Sequence, residues 1–227
     1  MYFIKPYKIP EKDCKQTDEK SNIEDIKLFD RSETPKKTFR LLCALWYTFY
    51  VMFETMFLKY AVTYFQYCPQ HLTAQKAAEL FSISSAVFTA FRGINVLIGL
   101  KLKIISIISY HYVILIIGMV LLVFGQNHLP LLWTASIVLC WGFSSMFAGI
   151  FAFTGEQLTM TNQLSTTFVL IRALFTLVTP VIIGMYIEDY SLIFIIILIF
   201  YLISSLIFFA LIMYYIRKYS KILKTKQ

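Results

Sequence analysis

Six side chains in this 227-residue chain could do chemistry: Tyr50, Glu54, Arg92, Asn95, Glu156 and Arg172. At about 100° per helical residue, Tyr47, Tyr50 and Glu54 share one face. Rings beside a carboxylate suit a hydroxyl-rich or cationic solute, because the rings stack and the carboxylate accepts hydrogen bonds. Ser85, Thr89 and Arg92 likewise fall within about 60° of arc, flanked by Ser82 and Asn95. A structural alternative stands beside this one. Glu54 could simply pair with an arginine to hold helices together, and the two roles are compatible.

Other chemistries find little footing. No phosphate-cradling glycine loop, nucleophile elbow or pair of catalytic carboxylates is present, which argues against an enzyme. His71, His111 and His128 lack metal-ligand spacing, so no metal site is expected. Of four cysteines, Cys14 reads as cytoplasmic, Cys43 and Cys140 as intramembrane and Cys68 as outward-facing, which leaves no disulfide partner within the chain.

The elements that must position these groups are membrane spans. Residues 104–155 and 190–216 contain no Lys, Arg, Asp or Glu. About 20 apolar residues let a helix cross a bilayer, and continuous rather than alternating apolar runs argue against a β-barrel. Six spans are predicted, at residues 41–66, 80–100, 104–125, 129–153, 164–187 and 192–216, and the fold class is all-α and polytopic. Residues 1–38 form a charged arm, 39–216 the bundle and 217–227 a basic tail. The first 40 residues hold ten Lys or Arg and eight Asp or Glu, too polar to fold alone.

With both termini cytoplasmic, seventeen cations lie inside and only Lys76 lies outside. The remaining three are Lys59, Arg92 and Arg172, which sit within spans. The net charge of +8 is thus a topology signal, served by anionic inner-leaflet lipid and requiring no nucleic acid. Lys59 can snorkel outward, whereas Glu54, Arg92 and Arg172 sit near mid-span and should face a cavity or a partner.

Polarity recurs along the spans. The first two carry charge and the third is greasy; the fourth is rich in small residues (Gly142, Ser144, Ser145, Ala148, Gly149), the fifth carries Arg172 and the sixth is greasy. Small residues four apart predict close packing by span four, and Pro180 with Gly184 predicts a bend in span five. The order fits two inverted three-helix repeats whose third helices face lipid.

Four stretches carry a resemblance. They are Val51-Met52-Phe53-Glu54-Thr55-Met56-Phe57, Phe91-Arg92-Gly93-Ile94-Asn95, Thr154-Gly155-Glu156-Gln157-Leu158-Thr159-Met160-Thr161-Asn162 and Pro180-Val181-Ile182-Ile183-Gly184. Through them the chain resembles the C-terminal six-helix half of a major facilitator superfamily transporter. Within that superfamily it is similar to the branch of sodium-dependent glucose transporter-like proteins and major facilitator superfamily domain-containing protein 4. It departs from the branch at Asn162, where Gly is usual, and at Arg172, where the family's span is polar and glycine-rich. The resemblance implies that the charged arm is the central loop of a longer transporter, so that the chain is one half or a fragment. It further implies alternating-access transport of a small polar solute, a sugar, with Na+ as a possible coupling ion and no other cofactor. Tyr50, Glu54, Arg92 and Asn95 would bind the solute, and Glu156 and Arg172 would serve gating. An N-terminal six-helix half or another copy would complete the cavity, in the plasma membrane. The alternative is a non-transporting half-transporter, receptor-like, scaffolding or truncated.

The predicted topology is directly testable. In sealed cells, a membrane-impermeant thiol reagent should label a cysteine placed at Asn127 and spare one placed at Lys226 until the membrane is opened. The reverse pattern would invert the orientation.

Overall fold

The computed structural model describes residues 33–99, 102–158 and 162–225. The charged arm through residue 32, Leu100 and Lys101, loop residues 159–161 and the last two residues lie outside that set, and with them Cys14 and much of the expected inner charge. Seven helices make up the described chain: α1 (Glu33–Tyr67), α2 (Ala74–Gly99), α3 (Ile104–Gly125), α4 (Leu129–Phe143), α5 (Met146–Gln157), α6 (Asn162–Tyr186) and α7 (Leu192–Thr225). Together they provide six crossings long and apolar enough for a membrane, α4 and α5 jointly forming the fourth. The chain is therefore an all-helical, multi-pass bundle, as its apolar runs require.

Both ends run further as helix than hydropathy alone indicates. Residues 33–40, expected as part of the arm or its border, belong to α1, with Pro35 in the first turn where a missing N–H costs nothing. Beyond Ile216, α7 continues to Thr225. The N-terminal extension meets the end of span six where Phe39 stacks on Tyr215 with centroids 6.3 Å apart.

α1 is the central post: 61% of its best apolar window is buried, against 11% for α2 and 17% for α6. It packs along α7 and α6, and more lightly against α2 and α5. Span four packs along α3 through both of its segments and along α2 through α4. Advancing span number by three thus carries the pairings one–six and one–five onto four–three and four–two.

Span four breaks after Phe143. Ser145 leaves helical geometry (φ −126°, ψ −4°), while the Ser144 N–H turns back to the Trp141 carbonyl. The Ser144 hydroxyl also donates to that carbonyl at 2.7 Å, the local competition that makes serine a poor mid-helix residue. The helical run in α6, by contrast, passes through Pro180 uninterrupted.

Close approach of α3 to span four is set by glycines on both sides. A Cβ on Gly142 would lie 2.6 Å from the Leu115 side chain, and one on Gly118 would lie 2.8 Å from Leu139. At Gly125 the obstruction is backbone, with Leu132 N at 3.0 Å. Gly149 meets Ile108 at 3.3 Å, while Ala148, expected in the same seam, is exposed. Gly125→Ala should therefore cost about 1–3 kcal/mol by forcing α3 off α4. Gly93→Ala, with nothing within 4 Å of the added carbon, should cost none of this. Unfolding of the two variants in mixed micelles compares them.

Candidate functional site

The break in span four organises the polar interior. In an unbroken helix the carbonyls of Trp141, Gly142 and Phe143 would bind the N–H groups of residues 145–147. A dry bilayer leaves no water to replace those partners. Side chains take over instead. Ser144 donates to Trp141, His111 Nδ1 lies 2.9 Å from the Gly142 oxygen, and the Tyr50 hydroxyl lies 3.4 Å from the Phe143 oxygen. A carbonyl only accepts, so Nδ1 is the protonated nitrogen of fully buried His111, and Nε2 is left buried without a partner.

Tyr50 and Glu54 stand one turn apart on α1. Tyr50 is fully buried, its hydroxyl in reach of the Glu54 carboxyl as well as of Phe143. Glu54 is half-buried, and its Oε2 is buried with no hydrogen-bond partner. Two cations act on it electrostatically, Arg92 on α2 and Arg172 on α6. Neither makes a direct ion pair with it among the described residues. The tight Glu54–arginine pair that helix-holding alone would need is therefore absent, and an electrostatic triad of one anion and two cations stands in its place.

Arg92 is exposed, its guanidinium carbon 5.2 Å from the centre of the Phe88 ring, a cation–π contact one turn away. Arg172 is half-exposed in an open depression with Val169, Ala173, Thr176 and Leu177. Asn95, 5% exposed, turns from the α2 stripe toward span four, where its side-chain nitrogen donates to Ser144 Oγ at 2.7 Å. Ser144 has already given its proton to Trp141, so it can only accept from Asn95.

Tyr50, Glu54, Arg92 and Arg172 thus come together, and Asn95 adjoins them through the break. Glu156 does not join them. It is exposed near the end of α5, and Arg172 lies ten residues into α6, about 15 Å along that helix, so the two expected gating residues occupy different levels. Tyr47 does not join them either. The aromatic face expected to meet a solute is committed to the core, where Tyr47 stacks on Phe168 at 5.1 Å and meets Phe151 edge-on at 5.2 Å. Packing with three rings on two other helices recovers more than an open stacking platform would. Thr89 and Ser82 do remain exposed on α2.

One polar assembly escaped the sequence reading. Trp46 Nε1 donates to the Tyr112 hydroxyl at 2.7 Å, and Tyr112 in turn bonds to Ser205, joining spans one, three and six. The available signal was a tyrosine and a serine inside two otherwise greasy spans. Thr179 and Tyr201 similarly join α6 to α7. Cys43, Cys68 and Cys140 are free and buried, and in the turn after α1 burial pushes the Cys68 thiol above its ordinary value.

Comparison with family models, curated proteins and solved structures finds no match to this chain.

Ser144→Ala removes the acceptor of buried Asn95 and should cost roughly 0.6–1.7 kcal/mol, the range for interhelical hydrogen bonds in membranes. Asn95→Ala should cost little more once Ser144 is gone. A double-mutant cycle of unfolding free energies measures that coupling, and additive losses would show that the bond contributes nothing.

Proposed function

We propose that the chain is one bundle of a carrier that moves a small polar solute by alternating access. The carrying observation is that α2 and α6, the least covered helices, hold mid-span arginines facing a half-buried carboxylate with no direct ion pair. An arginine at bilayer centre costs about 2.5–3.5 kcal/mol on insertion scales, so such a face is better matched to a wet crevice than to acyl chains. The span-by-three pattern of helix pairings supports two inverted repeats, because spans three apart cross the bilayer in opposite directions. The major facilitator resemblance supports the same arrangement.

In this reading Glu54 is the anionic anchor of the site and Tyr50 holds its carboxyl in place. Arg92 and Arg172 supply donors from the two flanking helices. Asn95 ties the α2 wall to the break in span four, so that rocking of α2 is transmitted to α4 and α5. Glu156 serves a cytoplasmic gate. A second six-helix unit, an N-terminal half or another copy, closes the open side. Sugar as solute, Na+ as coupling ion and the plasma membrane are the specific proposals that the resemblance adds.

Reconstituting the full chain in sealed liposomes and following labelled glucose with and without an inward Na+ gradient tests this. Uptake should exceed that of protein-free liposomes, and Glu54→Gln and Arg92→Gln should each lower it at least about tenfold, the loss of one charged hydrogen bond. Wild-type rates in both variants would dismiss these site residues. Absence of uptake by the correctly folded chain would favour the non-transporting reading.

A further inference from the structure

Beside Arg92 a cavity of about 370 Å³ runs between α2, α3 and α5 toward the end of the bundle where α2 stops at Gly99 and α3 begins at Ile104. Its size falls within the roughly 300–1,000 Å³ of small-molecule sites. Its lining is divided. Arg92, Asn95, Ser144 and Ser145 collect around the break in span four, while Val96, Ile104, Ile107 and Ala152 make the remainder apolar, and no aromatic ring contributes.

The polar end has unused donors. The Arg92 guanidinium lies over the face of Phe88 and makes no hydrogen bond among the described residues, which leaves its five N–H groups available there. Ser145 makes no side-chain hydrogen bond among the described residues, and Asn95 spends only one of its two amide protons on Ser144. Charge points the same way. Arg92 and Arg172 both act on Glu54, and these three groups together carry one positive charge in surplus when all are ionised.

A sugar carries hydroxyls around its whole perimeter, and the apolar length of this cavity would leave most of them unpaired. A solute with one anionic end and an apolar body meets both ends of the lining. Arginine's planar fork matches a carboxylate with two parallel hydrogen bonds.

We propose that this cavity binds a small amphipathic carboxylate. Its anionic group is held by Arg92, Ser145 and Asn95, and its apolar chain lies along Val96, Ile104, Ile107 and Ala152. The proposal rests on the carrier reading only in sharing Arg92 and Asn95; it replaces a sugar by an organic monoanion as the solute class and stands as a binding site even without transport.

Titration calorimetry on the full chain in zwitterionic lipid nanodiscs, with hexanoate, hexan-1-ol and glucose, decides it. Hexanoate should bind at least about tenfold more tightly than either neutral probe. Arg92→Gln should weaken hexanoate about ten- to hundredfold while leaving hexanol unchanged. Should that variant fail to fold, Ala148→Phe, which fills the cavity from α5 without touching a charge, should abolish hexanoate binding. Hexanol or glucose binding as tightly as hexanoate, no hexanoate binding, or affinity unchanged in a folded variant would each overturn the proposal. Hexanoate binding without solute uptake would retain the site and remove the carrier reading, whereas glucose uptake without hexanoate binding would do the opposite.

Discussion

A bilayer core supplies no water, so each backbone group in a crossing must find its partner within the protein. Span four interrupts its own helix at Ser144 and Ser145, and the surrounding helices are arranged around the carbonyls this releases. His111 reaches in from α3, Tyr50 from α1, and Asn95 from α2 by way of Ser144. Three crossings are thereby pinned to one short segment by hydrogen bonds that have no solvent alternative. The glycines at 118, 125 and 142 belong to the same solution, since only a close α3–span four contact lets a side chain of α3 reach the Gly142 carbonyl.

The same segment binds scaffold to chemistry. Tyr50 touches the break and the Glu54 carboxyl at once, and Asn95 touches the break from the wall that carries Arg92. Any change in the angle between α4 and α5 must therefore disturb residues on both sides of the charged cluster. By contrast, the Trp46–Tyr112–Ser205 assembly ties spans one, three and six together well inside the protein, away from the exposed arginines. One polar group stiffens the bundle; the other sits where α2 and α6 leave the bundle uncovered.

Much of this was legible in the chain itself, for a definite reason. Hydropathy is a property of composition within a window, so six crossings could be counted without knowing any contact. Mid-span charge is equally a matter of position along a crossing, which is why Glu54, Arg92 and Arg172 stood out together. Helical spacing went astray where several faces competed for one residue. Tyr47 shares an arc with Glu54, yet three rings from two other helices claim it. Span four's small residues pointed to close packing, and Gly142 makes the tightest approach, but its counterparts Gly118 and Gly125 lie on a span that reads as merely greasy.

The amino-acid order alone determined how many helices are long and apolar enough to cross and which of them carry charge, because each depends on transfer between water and lipid of residues near one another in sequence. Only the tertiary structure decided that span four breaks, which side chains repair it, that Asn95 faces Ser144 and that Glu156 stands apart from Arg172. Those outcomes depend on which groups from distant spans arrive within hydrogen-bonding reach, and no local window contains that information.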